Sequence, residues 1–238
     1  MPEPTDLTSI TSLIAATGGL GTAAYGLVDA SKAFRGGVSR AGFKSIRQSI
    51  DRLLGRTGGS GMFGPADVVA TLQANWINGV AKADQKGIAK SLIRLSLTPA
   101  NAAALAWAVG VNGDALVTVA KSIEAGTALK QEDLNVLGRF DAMVSAILDE
   151  AYERADQQYR NFAKLCAAVV AIVLAAVAGG IFYARAHDGV FGWSGYLTSH
   201  QFLLALLIGA VSTPLAPIAK DVSSAIVAAV SAVGAWKR

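Results

Sequence analysis

The sequence predicts an all-α integral membrane protein with about three transmembrane helices and a helical cytoplasmic domain, joined to the membrane part by one long continuous stalk helix. Three observations carry this reading. Charged residues make up 16% of the 238-residue chain and hydrophobic ones 53%, whereas a soluble domain is about 25% charged. The run from Leu165 to Ala184, LCAAVVAIVLAAVAGGIFYA, is uncharged and has the roughly 20-residue length that a helix needs to cross a bilayer core of about 30 Å. Lys and Arg concentrate between residues 32 and 164, leaving both ends apolar.

Residues 1–33 form the first predicted span. The start, MPEPTDLTSI, lacks a basic region ahead of a strong apolar run, so no cleavable signal peptide is expected. From Leu7 to Val28 the residues are small or weakly polar. Gly18, Thr22 and Gly26 recur at i+4, as do Ala15, Gly19 and Ala23. Each series lies along one helix face and invites close approach of another backbone. Leu13, Leu20 and Leu27 repeat every seven residues elsewhere on the surface. The polar positions Thr11, Ser12, Thr22 and Asp29 are candidates to line a common axis, with Gly18 and Gly26 as packing positions.

Residues 34–140 are predicted as the helical cytoplasmic domain. In FKSIRQSIDRLLG, Phe43, Ile46, Ile50 and Leu53 make an amphipathic stripe with cations on the remaining surface. Such a helix suits either an anionic leaflet or a protein neighbour. RTGGSGMFGP is a flexible break by composition. Pro65 opens the next helix, and another carries Ile88, Leu92 and Leu95. In LTPANAAALAWAVG, Thr98 is the expected N-cap and Pro99 the first helical residue. Gly110 and Asn112–Asp114 mark a turn, and a short helix ends near Gly126.

Residues 141–184 are expected as a stalk running into the second span, over 60 Å of helix at 1.5 Å per residue. Residues 185–200, RAHDGVFGWSGYLTSH, form an extracytoplasmic loop in which glycines turn the chain and Phe191, Trp193 and Tyr196 favour the interface. Residues 201–219 are the third span, kinked at Pro214, with Ser212 and Thr213 expected to satisfy carbonyls that the proline leaves free. Residues 220–238 read as a C-terminal amphipathic helix at the interface, its apolar run being short of the usual 17–25 residues. Re-entry of this tail into the membrane is the alternative.

Twelve cations flank the span ends on one side: Lys32, Arg35, Arg40, Lys44, Arg47, Arg52, Arg154, Arg160, Lys164, Lys220, Lys237 and Arg238. Arg185 stands alone on the other. The excess places the N-terminus outside, with the central domain and C-terminus in the cytoplasm of a multi-pass protein of the cell inner membrane. It also accounts for the basic pI of about 9.3 without nucleic acid.

Chemistry is sparse. The single cysteine, Cys166, excludes an intrachain disulfide. His187 and His200 lack an obvious third ligand, so no metal site is expected. TGGLGT and GRTGGSG lack the Lys-Ser/Thr ending of a phosphate loop. The helix-turn-helix rhythm between residues 106 and 137 carries acids where a DNA reader needs cations. No catalytic pair can be assembled, so neither an enzyme nor a cofactor is expected. Asp149, Glu150 and Glu153 are a candidate charged vestibule if several copies surround an axis, or else a solvated helix face. The sequence therefore points to a homo-oligomeric pore or channel in the lipid bilayer. The alternative is a structural or adaptor subunit packed on another membrane protein.

Overall fold

The computed structural model describes residues 5–34, 36–55, 64–187 and 192–236, with side chains for these except 5–11, 220 and 222–236. Among the described residues every regular element is a helix and no strand occurs. In chain order they are α1 (Thr5–Ala30), a 3-10 turn (Ser31–Ala33), α2 (Ser39–Leu54), α3 (Pro65–Ile77), α4 (Lys82–Leu95), α5 (Ala102–Val109), α6 (Gly113–Glu124), α7 (Gln131–Ala186), α8 (Trp193–Leu197) and α9 (His200–Trp236). They form two compact units. One comprises Val38–Arg160; the other comprises Met1–Gly37 with Asn161–Arg238.

The Val38–Arg160 unit is built around large apolar side chains. The four predicted stripe residues of α2, Phe43, Ile46, Ile50 and Leu53, are all buried, and they join Leu72 of α3, Ile93 of α4, Leu105 of α5, Leu116 of α6 and Phe140, Leu148 and Tyr152 of α7. Removing each such side chain from water contributes roughly 1.5–3 kcal/mol. Burial also pushes the Tyr152 hydroxyl upward from its ordinary range. At Gly42, α2 presses on α7: a Cβ there would overlap the Ala155 carbonyl and crowd Trp76 and Tyr159. Beside it the Trp76 indole donates to the Ser39 carbonyl (2.8 Å) and Ser45 donates to Gln158 (2.8 Å).

Local caps explain the helix starts. Pro65 opens α3 as expected, and Asp67 accepts from the Gly64 amide (3.1 Å). The next start differs from the expectation. Asn101, not Thr98, organises the entry to α5: its amide side chain accepts from Thr98 N–H (2.8 Å) and donates to the Ser96 carbonyl (2.6 Å), so 98–101 is a turn and the helix begins at Ala102. Thr98's own hydroxyl is buried without a partner. α7 begins at Gln131 rather than near Asp141, because Asp133 accepts from the Lys130 amide (3.0 Å) and Gly138 leaves the helix unbroken.

The second unit has the opposite construction. On α7, Ala167, Ala171 and Ala175 are buried, while Leu165, Val169, Val173, Val177 and Ile181 point outward. On α9, Ala205, Gly209, Ser212 and Ala216 are buried, while Leu203, Leu207 and Val211 are exposed. The small residues permit backbone contact. A Cβ at Gly209 would overlap Ile172 Cα, one at Gly18 the Ala219 methyl, and one at Gly21 the Ser212 carbonyl. α7 and the His200–Ala219 part of α9 are long and apolar enough to cross a membrane, yet only 22% and 33% of their most apolar stretches are buried.

α9 continues unbroken through Pro214 and Pro217 to Trp236, so the third span and the tail are one helix rather than two. Pro214 frees the Ala210 carbonyl. Ser212 bonds to the Gly209 carbonyl instead (2.7 Å), since a serine hydroxyl reaches back one turn from its own position; the Thr213 hydroxyl is buried without a partner. The flexible break at 56–63 and Phe191 of the loop lie outside the described residues.

Gly209→Leu should force α9 off the α7 backbone and lower stability by about 3 kcal/mol or more. Thermal unfolding in detergent measures this. An unchanged melting temperature would contradict the backbone contact.

Candidate functional site: the small-residue faces of the apolar unit

α1 presents two unlike faces. Thr17, Gly18, Gly21, Ala24 and Val28 are buried, with Gly18 and Gly21 set against α9. On the far side Ser12, Ala15, Gly19, Thr22, Gly26 and Asp29 are exposed. Positions 12, 15, 19, 22, 26 and 29 alternate by three and four, which keeps them on one stripe roughly opposite the α9 contact. Gly19 and Gly26 have open space where a Cβ would stand.

The candidate positions therefore separate. Gly18 lies at a helix contact within the chain. Ser12, Thr22, Gly26 and Asp29 lie on the outer face, and the Thr11 side chain is outside the described residues. The Thr22 hydroxyl bonds to the Gly18 carbonyl (3.0 Å), and the Asp29 carboxylate pairs with Lys32. Of the two i+4 series read from sequence, only Gly18 is buried, because the α9-facing stripe runs through 17, 21, 24 and 28 instead.

Where α1, α7 and α9 diverge, a cleft of about 440 Å³ opens in the same unit. Leu13, Leu20, Phe182, Leu204 and Ile208 are among its walls, and Thr17 and Gln201 are the polar side chains there. Its lining is apolar enough to accept an acyl chain or another helix.

α8 turns one of its aromatic rings inward. Tyr196, in the five-residue α8, is fully buried, and its hydroxyl donates to the Ala176 carbonyl (2.7 Å). Gly179 makes the notch, since a Cβ there would stand 2.5 Å from the Tyr196 oxygen. Tyr196 also contacts the rings of Tyr183 (5.6 Å) and Phe202 (5.3 Å). Trp193 remains exposed, whereas Tyr196 is a packing residue; each ring follows a glycine, so the sequence alone does not distinguish them. His187 stacks on Tyr183 (4.1 Å) with its ring nitrogen 2.9 Å from the Tyr183 carbonyl. Among the described residues no cluster of three or more His, Cys, Asp or Glu is placed to hold a metal.

The candidate vestibule acids sit in the other unit, and each is ion-paired. Asp149 meets Lys86 (2.5 Å), Glu153 meets Lys82 (3.0 Å) and Glu150 meets Arg154 (2.6 Å). Further along, Asp141 faces Arg94 (3.4 Å) and Lys90 (3.8 Å). Lys82, Lys86, Lys90 and Arg94 recur every four residues on α4 and zip against acids of α7 in reverse order. That i+4 run of cations is legible in the sequence; its pairing with acids some fifty to seventy residues later is not.

Asp156 sits between Lys82 (3.4 Å) and Arg160 (2.9 Å). Partial burial works against its ionisation, but hydrogen bonds and charge from Arg160 and Lys82 outweigh this and hold its carboxyl below the ordinary 3.8. The hydrogen bond to Glu153, opposed by desolvation and aided by Asp156, holds Lys82 above 10.5. The Asp156 contribution is complete above pH 3.8 and lost as pH falls through its lowered pKa; the Lys82 contribution is complete below 10.5 and lost as pH rises through its raised one.

No family model, curated protein or solved structure matches the chain.

Asp156→Asn should cost up to about 1 kcal/mol at neutral pH, and the variant and native melting temperatures should converge as pH falls through the lowered Asp156 pKa. A constant gap across that range would exclude the ion pairs as its source.

Proposed function

We propose that this chain is a multi-pass protein of the cell inner membrane that self-associates through the outer face of α1, forming a homo-oligomeric pore or channel. The reversed packing of the apolar unit carries the membrane part of the reading. In water, large apolar side chains turn inward; here Val169, Val173, Val177 and Ile181 turn outward over a buried alanine ladder. Lipid is the solvent in which that arrangement costs nothing. On this reading α1, the end of α7 and the start of α9 are three spans. The twelve-to-one distribution of cations sets the N-terminus outside.

The outer α1 face supports self-association. Gly19 and Gly26 expose backbone to whatever surrounds the helix, and Ser12, Thr22 and Asp29 add polar groups that lipid does not solvate. A second copy of α1 covers the glycines, and an aqueous axis accommodates the polar groups.

The ion pairing of Asp149, Glu150 and Glu153 favours a second reading. With those carboxylates engaged by lysines and an arginine of the same chain, the charged vestibule loses its field, and a structural or adaptor subunit packing on another membrane protein accounts for the same α1 face.

Gly19→Leu and Gly26→Leu discriminate, because neither position has an intrachain neighbour to displace. Both variants should keep the native melting temperature and helicity while shifting the nanodisc-purified protein from oligomer to protomer, as read by particle mass. A native protein that is itself monomeric would overturn self-association. An oligomer whose Thr22→Cys and Asp29→Cys variants resist water-soluble thiol reagents would overturn the pore and leave the structural reading.

A further inference from the structure

We infer that the groove between α2 and α3 is a binding site for the phosphate headgroup of an anionic phospholipid. The groove, about 360 Å³, lies wholly within the Val38–Arg160 unit and is lined by Arg40, Phe43, Lys44 and Arg47 of α2 with Gln73 and Ile77 of α3. Positions 40, 44 and 47 share one helix face and span roughly 10 Å along the axis.

Three features set these cations apart from the ion-paired ones of α4. Arg40 and Lys44 have no ion-pair partner among the described residues, and Arg47 reaches only Asp51, at 3.8 Å. Like charges at i+4 and i+3 repel one another across the helix surface. Arg40 also stands in the first turn of α2, which holds no acid, so it opposes the positive end of the helix dipole. The helix thus carries a local electrostatic conflict that an anion in the groove would relieve.

The shape of the site favours a lipid phosphate over a free one. Guanidinium groups bind phosphate oxygens in pairs, and the Gln73 amide adds a neutral donor. Half-buried Ile77, with the edge of the core residue Phe43 beside it, supplies apolar lining suited to the glycerol end of a headgroup, which inorganic phosphate would leave unused. Nine residues of chain separate Ala30, the last residue of α1, from Arg40, so on the membrane reading above this basic cluster follows a span closely in sequence, as clusters that engage anionic lipids do.

The test uses the full chain in a maltoside detergent, so it depends on neither insertion nor assembly. Dihexanoyl phosphatidylglycerol, dihexanoyl phosphatidylcholine and inorganic phosphate are titrated separately, with calorimetry as the readout. The anionic lipid should bind saturably and at least tenfold more tightly than the other two, and more weakly as salt rises. Arg40→Gln/Lys44→Gln/Arg47→Gln should abolish that tenfold preference, whereas the control Lys121→Gln/Arg139→Gln, at exposed positions elsewhere, should keep it. Without lipid the triple variant should melt at or above the native temperature, because like charges have been removed. Lys44→Glu alone gives an independent check and should weaken anionic-lipid binding at least tenfold. Equal affinity for both lipids, an unaffected triple variant, or phosphate binding as tightly as the anionic lipid would overturn the assignment.

Discussion

Contact between helix backbones at glycine is the constraint on which both units depend. Gly42 lets α2 reach the Ala155 carbonyl of α7, and Gly209 lets α9 reach α7 at Ala171 and Ile172. In each case the missing side chain is the contact. Around Gly42 the space freed by close approach is enclosed by Trp76 and Tyr159, and the Trp76 indole is held by the Ser39 carbonyl. Around Gly209 the contact is with the backbone of Ala171 and Ile172, and the buried positions of this stretch of α7 are the alanines 167, 171 and 175, which leaves little inward room for large side chains. Their outward display follows from the glycine and alanine pattern.

The two units consequently solve the same packing problem with opposite side-chain patterns. The Val38–Arg160 unit hides Phe, Ile, Leu and Tyr side chains and meets water with a ladder of lysines and carboxylates between α4 and α7. Each exposed pair contributes little, but four successive cations on α4 fix its register against α7. The other unit has no such ladder among its described residues; it hides Ala, Gly, Ser and Thr and shows Val, Leu and Ile. Val28 and Tyr196 are its exceptions, the latter a large ring admitted because Gly179 leaves a notch and the Ala176 carbonyl accepts its hydroxyl.

Long-period features were legible in the sequence, and contacts across the chain were not. The amphipathic stripe of α2, the Pro65 start of α3 and the apolar stretch ending α7 follow from residue spacing and side-chain chemistry alone. The small-residue character of α1 was also plain, but which small residues meet α9 was not. Glycine and alanine at 15, 18, 19, 21, 23, 24 and 26 permit several faces, and only the partner helix selects 17, 21, 24 and 28. Asn101 displaced Thr98 as organiser of α5 because its amide can bond to Ser96 and Thr98 together. Glu150 meets Arg154 one turn along its own helix, a pairing that spacing alone allows, whereas the partners of Asp149 and Glu153 lie on α4 some sixty to seventy residues earlier, beyond the reach of local spacing.

The central claim is that the outward apolar face of α7 is solvated by lipid. Spin labels at Val173→Cys and Val177→Cys, in a Cys166→Ala background reconstituted into liposomes, test it through collision with oxygen and with a water-soluble nickel chelate. Lipid solvation predicts high oxygen access with almost no chelate access at both positions. Strong relaxation by the chelate would place that face in water and contradict the account.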